Sequence, residues 1–318
     1  MGEVQQKSVS PIFRVNLEIQ MNETVKLIFQ LLIPGLCLGC VYGLNGIGAA
    51  LLYKGSHTIN NAQGAVVGFG ALLGYTFQRT LGWGLLPATL AATICAFLFG
   101  MLLQVGVISQ VEKRAPIYVV IATLALNIVI TNTNYLVFGS YVYESATIVI
   151  NGSKYLHLDF ADLDILWSNI VAIGVSLVAM IAVHLFLNKT KFGSGMRAAA
   201  MDPFAAESCG ISVVQTRAVT WGIMSALGAL GGCLTGPLFG ISAGIGIAAG
   251  AKGNTGAVLG GYGNMYGAII GGLIIGIVET VFGYVCSPYQ NAFTNGLFLL
   301  FILLLPRGIM NEKALEEG

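Results

Sequence analysis

From residue 218 to residue 306 the chain carries only two charged side chains, Lys252 and Glu279. A bilayer crossing takes about twenty apolar residues, so roughly ninety in succession dictate several membrane helices. The rest of the chain agrees. Of all residues 56% are hydrophobic and 9% charged, against about a quarter charged in a soluble domain; a soluble enzyme and a disordered chain are excluded. Fifteen Lys and Arg against fourteen Asp and Glu leave +1, which is no field to recruit nucleic acid. The apolar runs are long and continuous, without the alternation over about ten residues that marks barrel strands. The fold class is an all-α integral membrane protein.

Eight runs stand out, near 27–53, 64–78, 85–108, 116–138, 165–187, 218–240, 256–284 and 292–306. They define a membrane region, 27–310, between a polar N-terminal segment, 1–26, and a polar tail, 311–318. Pro116 opens the fourth run, where its missing N–H is no loss. The stretch 139–166 holds Glu144, Asp159, Asp162 and Asp164 against Lys154, while 188–217 holds Lys189, Lys191, Arg197 and Arg217 against Asp202 and Glu207. Basic residues concentrate on the cytoplasmic side, so 188–217 is inside and 139–166 outside, and Lys113 and Arg114 agree. Eight simple crossings then put both termini outside, whereas Arg307 beside the last run argues the reverse. The stretches 54–64 and 240–264 are candidates for broken or re-entrant segments, because irregular backbone is tolerated at membrane depth where protein surrounds it.

Forty-three glycines are nearly twice the usual share of about 7%. Small residues three or four apart let helix backbones approach closely, and packing accounts for most of them; the Cys37–Cys40 pair has the same reading. The pattern Gly64-Ala65-Val66-x-Gly68 recurs at Gly256-Ala257-Val258-x-Gly260, a weak echo of an internal repeat. Polar residues in apolar runs are costly and carry function more often than others. Asn45 lies in the first run, and Asn127, Asn132 and Asn134 in the fourth. His57, Asn60, Asn61 and Gln63 gather just before the second, and Glu279 is the lone acid of the last ninety or so residues. Glu279 is read either as an interhelical hydrogen-bonding group or as a pore or gating residue. His184, near a membrane end, reads as a snorkelling side chain. Ala251-Lys252-Gly253-Asn254 fails the phosphate-loop pattern G-x-x-x-x-G-K-[ST], and no nucleophile elbow or metal cluster is visible. The chain is expected to be a transport subunit rather than an enzyme, driven by an ion gradient or by a partner.

Residues 188–217 read NKTKFGSGMRAAAMDPFAAESCGISVVQTR. Asp202 suits an N-cap, Pro203 a first helical position and Gly210 the residue after the last turn. The spacing predicts a helix of roughly seven residues over 203–209, about 10 Å long, too short to persist without packing. Its Ala and Phe surface suits a shallow groove on another protein.

The stretch KTKFGSGMRAAAMDPFAAESCGI resembles the cytoplasmic signature K-T-x-x-G-x-x-x-R-A, then Asp, an Ala pair and Gly-Ile, of the branched-chain amino acid type of ABC transporter permease. LLYKGSHTINNAQGAVVGFGALLGY, PIYVVIATLALNIVITNTNYLVFGS, GAVLGGYGNMYGAIIGGLIIGIVET and LFILLLPRG are similar to further stretches of that family, in order, over roughly 27–310. The likeness is closer to the first permease of the pair than to the second. Asn61 and Gln63 replace the usual aromatic residue and His, Pro306-Arg307 inverts the usual order, Pro203 and Phe204 are local variants, and residues 1–26 have no counterpart.

The resemblance implies a polytopic permease of the cell membrane, the inner or plasma membrane. It implies a second permease subunit, two ATP-binding cassette ATPases and an extracytoplasmic solute-binding protein as partners, with ATP bound by the ATPases and no cofactor on this chain. The implied cargo is a branched-chain or related small amino acid. Urea and short amides are alternatives, because a path of Asn, Gln, Tyr and Gly suits any small neutral or zwitterionic solute; ion-coupled secondary transport is a further one. Coupling to the ATPase would fall to Arg197, Asp202, Ala205, Ala206, Glu207 and Gly210, and the pathway to Asn60, Asn61, Gln63, Gly64, Asn127 and Glu279.

Overall fold

In a membrane every backbone polar group must be satisfied within its own segment, so apolar runs of this length become helices. The computed structural model describes residues 11–310 except 57, 113–115, 146–147, 149–152 and 159–162. His57, Lys113, Arg114, Asp159, Asp162 and the tail 311–318 lie outside the described residues, as does the first part of the polar N-terminal segment. Helix α1 spans Pro11–Ser56, α2 Gln63–Leu81 and α3 Leu85–Leu103; α3 runs through a π turn, Gln104–Ile108, into α4, Ser109–Val111. Then follow α5 Pro116–Phe138, α6 Trp167–Lys189, α7 Lys191–Met201, α8 Pro203–Ser208, α9 Val213–Phe239, α10 Ile245–Gly260, α11 Met265–Val285 and α12 Gln290–Leu304. Between α5 and α6 a hairpin pairs β1, Tyr155–Leu158, antiparallel with β2, Leu163–Leu166, Tyr155 opposite Leu166. The run pattern held no sign of it.

Six helices among the described residues are long and apolar enough to cross a membrane: Lys26–Gly55, Leu85–Val111, Ile117–Phe138, Trp167–Lys189, Val213–Phe239 and Met265–Val285. The expected eight do not all appear in that form. The run 256–284 is not one span; the chain turns at Gly261 and Gly263, both at φ near +106°, and Asn264 caps α11 by accepting from Tyr266 N and Gly267 N. Helix α10, with 16 residues, measures about 24 Å at 1.5 Å per residue, short of the ~30 Å hydrocarbon core. The polar N-terminal segment is helical from Pro11 and continuous with the first span.

Helix α9 is the hub. Of its apolar stretch 72% is buried, against 22% for α5 and for α6, which therefore lie at the periphery. It packs on α1, α2 and α3, while α1 lies along α11 and α10 fills the gap between α1, α2 and α11. α1 and α11 run antiparallel with glycine against glycine: a Cβ on Gly272 would stand 2.4 Å from the Gly43 nitrogen. Dispersion between backbones is the main attraction available inside lipid, and small residues allow it.

The ends of the chain resolve the parity conflict. Ile309 N donates to Leu259 O and Met310 N to Gly260 O, tying the segment after α12 to the end of α10 and the start of α11. Tyr266, in the first turn of α11, meets His184 near the end of α6, on the face that carries α7 and α8. Arg307 therefore lies on the same face as 188–217. The extra leg is α10, which returns the chain to that face before α11 leaves it.

Candidate functional sites

The segment 188–217 folds as two short helices at the ends of α6 and α9. Thr190 caps α7, its Oγ1 accepting from Gly193 N at 3.0 Å. Arg197 donates through Nη1 to Leu187 O and to Asn188 Oδ1, folding α7 back on the last turn of α6. The K-T-x-x-G-x-x-x-R spacing is thus a helix cap followed by a return strut. Asp202 Oδ1 accepts from Phe204 N and Ala205 N at 2.9 and 3.1 Å, and Pro203 opens α8. After α8, Gly210 N donates to Glu207 O and Ile211 N to Ala206 O, with Gly210 at φ +81°. This is the left-handed two-bond C-terminal cap that glycine favours.

The exposed side of this pair differs in part from the expected one. Ala206 is 4% exposed and packs inward on Ala199, Val213 and Ile211, because the cap brings Ile211 back beneath the helix. Its methyl supports the loop and is not offered to a partner. Ala205 and Glu207 are exposed, and Phe204 and Met201 are 84% and 88% exposed. Met201 carries no local signal in the sequence, since the face it takes depends on how α7 meets α8. Close by, Arg217 Nη1 pairs with Glu112 Oε2 at 3.1 Å, and Gln104 Nε2 donates to the same oxygen at 3.0 Å. This link between α9 and the π turn below α3 joins residues far apart in the chain and had no sequence signature.

The second assembly is the break between α1 and α2. Asn60 is 4% exposed beside the middle of α9, donating to Met224 Sδ and accepting from Ala62 N through Oδ1. Asn61 N donates to Thr123 Oγ1, and Asn61 O accepts from Asn127 Nδ2 at 2.7 Å. Helix α5 therefore holds the irregular backbone at depth. Gly64 and Gly68 meet Gly246 and Gly250, so the start of α2 crosses the start of α10 without side chains between them. Asn60, Asn61, Gln63, Gly64 and Asn127 are thus one cluster. Within it Gln63 is 1% exposed, its amide directed at Asn45 O, so it faces protein rather than an open path; Asn61 and Asn127 stay partly exposed. Asn45, 0% exposed, has no side-chain partner among the described residues. The echo at 64–68 and 256–260 falls in the first turn of α2 and the last turn of α10, so the two do not correspond as repeats.

Glu279 stands apart from that cluster. Lys252 Nζ of α10 pairs with its Oε1, and Gln290 Nε2 donates to the same oxygen and to Glu279 O. Lys252 also lies over the Tyr42 ring, 5.8 Å from its centroid. The geometry is an ion pair joining α10, α11 and α12. Breaking a buried pair leaves an uncompensated charge, at about 3–5 kcal/mol. Lys252→Met is expected to lower the unfolding temperature of the detergent-purified protein sharply, and Lys252→Met/Glu279→Met to recover much of the loss. Equal losses in both variants would contradict the pairing.

What these parts define is a polytopic helical membrane protein, with a capped helix pair at one face and a broken-helix polar cluster inside. Residues 31–305 match the family model described as branched-chain amino acid transport system / permease component. The high-affinity branched-chain amino acid transport system permease protein LivH of Escherichia coli (strain K12) is 30% identical over 308 residues, 93% of this chain and 100% of that one. The probable branched-chain amino acid transport permease protein LivH of Methanocaldococcus jannaschii is 28% identical over 197 residues, 60% of this chain and 61% of that relative. The solved PsaBC from Streptococcus pneumoniae in complex with Fab aligns over 92% of this chain and 97% of its own at 12% identity and TM-score 0.49. The chain belongs to the family of branched-chain amino acid transport permease components.

Proposed function

We propose that this chain is one of two permease subunits of an ATP-driven importer that moves branched-chain or related small amino acids. Its partners are a second permease, two ATP-binding cassette ATPases that bind and hydrolyse the ATP, and an extracytoplasmic solute-binding protein. The observation that carries the reading is the helix α8 fixed between the Asp202 cap and Gly210, with Phe204 and Met201 exposed beside Glu207. A partner that gripped this pair could move the ends of α6 and α9 together, since Arg197 fastens α7 to the end of α6 and Ala206 of α8 packs on Val213 at the start of α9. The pathway runs by the α2–α10 crossing, where Asn61 and Asn127 keep polar surface partly open. The unmet hydrogen bonds of Asn45 are available to a second packing of these helices. Ion coupling is disfavoured, because Glu279 is held by Lys252.

Affinity purification through a C-terminal tag in mild detergent tests the assembly. Two phosphate-loop ATPases and a second permease are expected to co-purify, with ATP hydrolysis rising when the binding protein and a branched-chain amino acid are added. Recovery of this chain alone from cells that express its neighbours would defeat the proposal. Stimulation by urea or an amide but not by amino acids would reassign the solute.

A further inference from the structure

On the face that carries α7 a cavity of about 160 Å³ opens between the ends of α1 and α6, helix α7 and the start of α11. It has room for about five waters, or one phosphate group. Lys54 and Arg197 line it together with His184, Asn188 and Tyr266, and among the described residues no carboxylate does. Arg197 bonds the end of α6, whereas Lys54 is exposed in the last turn of α1. Two helix C-termini subtract about half a charge each and the N-terminus of α11 returns about half, so the two cations leave the cavity positive by roughly 1.5 charges.

The surface leading away from this cavity toward the membrane interior is apolar. Ile181, three residues before His184, is 58% exposed, and Ile270, four after Tyr266, is 38% exposed. Residues three and four apart share a helix face, so a greasy seam between α6 and α11 runs from the polar pocket into the hydrocarbon. His184 and Tyr266 bridge the seam at its polar end, 3.1 Å between Nδ1 and the hydroxyl. A water-soluble anion would have no use for that seam. A phospholipid would, because basic pockets between membrane helices on the cytoplasmic side receive anionic headgroups.

We infer that this pocket binds the phosphodiester headgroup of an anionic phospholipid from the cytoplasmic leaflet, with Lys54 and Arg197 on the phosphate and the acyl chains along the α6–α11 seam. The lipid clamps the ends of α1 and α6 to α7, beside the coupling helix. Nothing in this depends on which solute is carried.

The test uses the detergent-purified protein with its co-purifying partners. Thermal unfolding is followed in mixed detergent micelles carrying phosphatidylcholine alone, or phosphatidylcholine with an equal part of phosphatidylglycerol, for the native chain, Lys54→Gln and Lys54→Arg. A ligand present at about a hundred times its dissociation constant raises the unfolding temperature by about 5 °C or more. That shift is expected with phosphatidylglycerol for the native chain and Lys54→Arg, and a much smaller one for Lys54→Gln. Native mass spectrometry should show one fewer retained phosphatidylglycerol per Lys54→Gln chain. No shift in the native chain, or an undiminished shift in Lys54→Gln, overturns the site. Soluble glycerol phosphate is expected to do nothing; stabilisation by it as strong as by the lipid overturns the assignment to a lipid.

Discussion

Gly210→Val is expected to abolish solute uptake while the protein still accumulates in the membrane. Gly210 sits at φ +81°, where an ordinary L-residue loses about 1–2 kcal/mol and a β-branched one more. That is about a tenfold or greater loss in the population of the capped conformation. Helix α8 has six residues and no stability to spare, since helices this short persist only when packed. Losing the cap frees Ile211 from Ala206 and turns Phe204 away from its present direction. Asp202→Pro should have the same outcome from the other end, because it deletes a carboxylate that caps two N–H groups and the N–H that donates to Ala198 O. Gly210→Asn, which tolerates left-handed backbone, should keep most of the uptake. Radiolabelled leucine uptake in vesicles, with ATP hydrolysis measured alongside, separates these cases. Normal uptake by Gly210→Val at normal expression would remove α8 from the coupling scheme.

Gly246→Val should have the larger structural effect, with no folded protein recovered. A Cβ there would stand 2.1 Å from Gly68 N and 2.2 Å from Gly64 O. Both are backbone atoms of α2, which cannot swing aside as the end of a side chain can, and overpacking a close-packed interior is destabilising. The crossing of α2 and α10 would have to separate, taking the Asn61–Asn127 contact with it. Gly296→Ala is the control: nothing lies within 4 Å of a Cβ there, and alanine favours the helix by about 1 kcal/mol. Size-exclusion profiles of fluorescently tagged variants give the comparison, and a monodisperse Gly246→Val peak would count against the crossing.

Helix α8 was legible because capping is local chemistry: Asp202, Pro203 and Gly210 each act within a few residues. What it presents was only partly legible. Ala206 turns inward and Met201 outward because of how α8 rests on Val213 and Ile211, a tertiary fact. The polar cluster near 60–64 was visible as a breach of hydropathy, yet Gln63 spends its amide inside the protein. The division of 256–284 escaped hydropathy because Gly260 to Gly263 are as compatible with apolar surroundings as the helices on either side. Asn264, a capping residue after closely spaced glycines, was the available sign. Glu279 was singled out correctly as unusual, but its partner stands 27 residues away on a helix that the run pattern merged with its neighbour.

The return leg made by α10 has a consequence for how such subunits can be joined. Counting α1, α2, the α3–α4 helix, α5, α6, α9, α10, α11 and α12, the described chain travels between the two faces an odd number of times. On that path Pro11 and Leu304 lie at opposite faces of the helix bundle. Two permeases of this build cannot be merged into one polypeptide by a short hydrophilic tether; the joint must itself traverse the bilayer. A fused pair that keeps both halves upright would therefore carry one extra helix at the seam, and a gene fusion lacking it would insert its second half upside down.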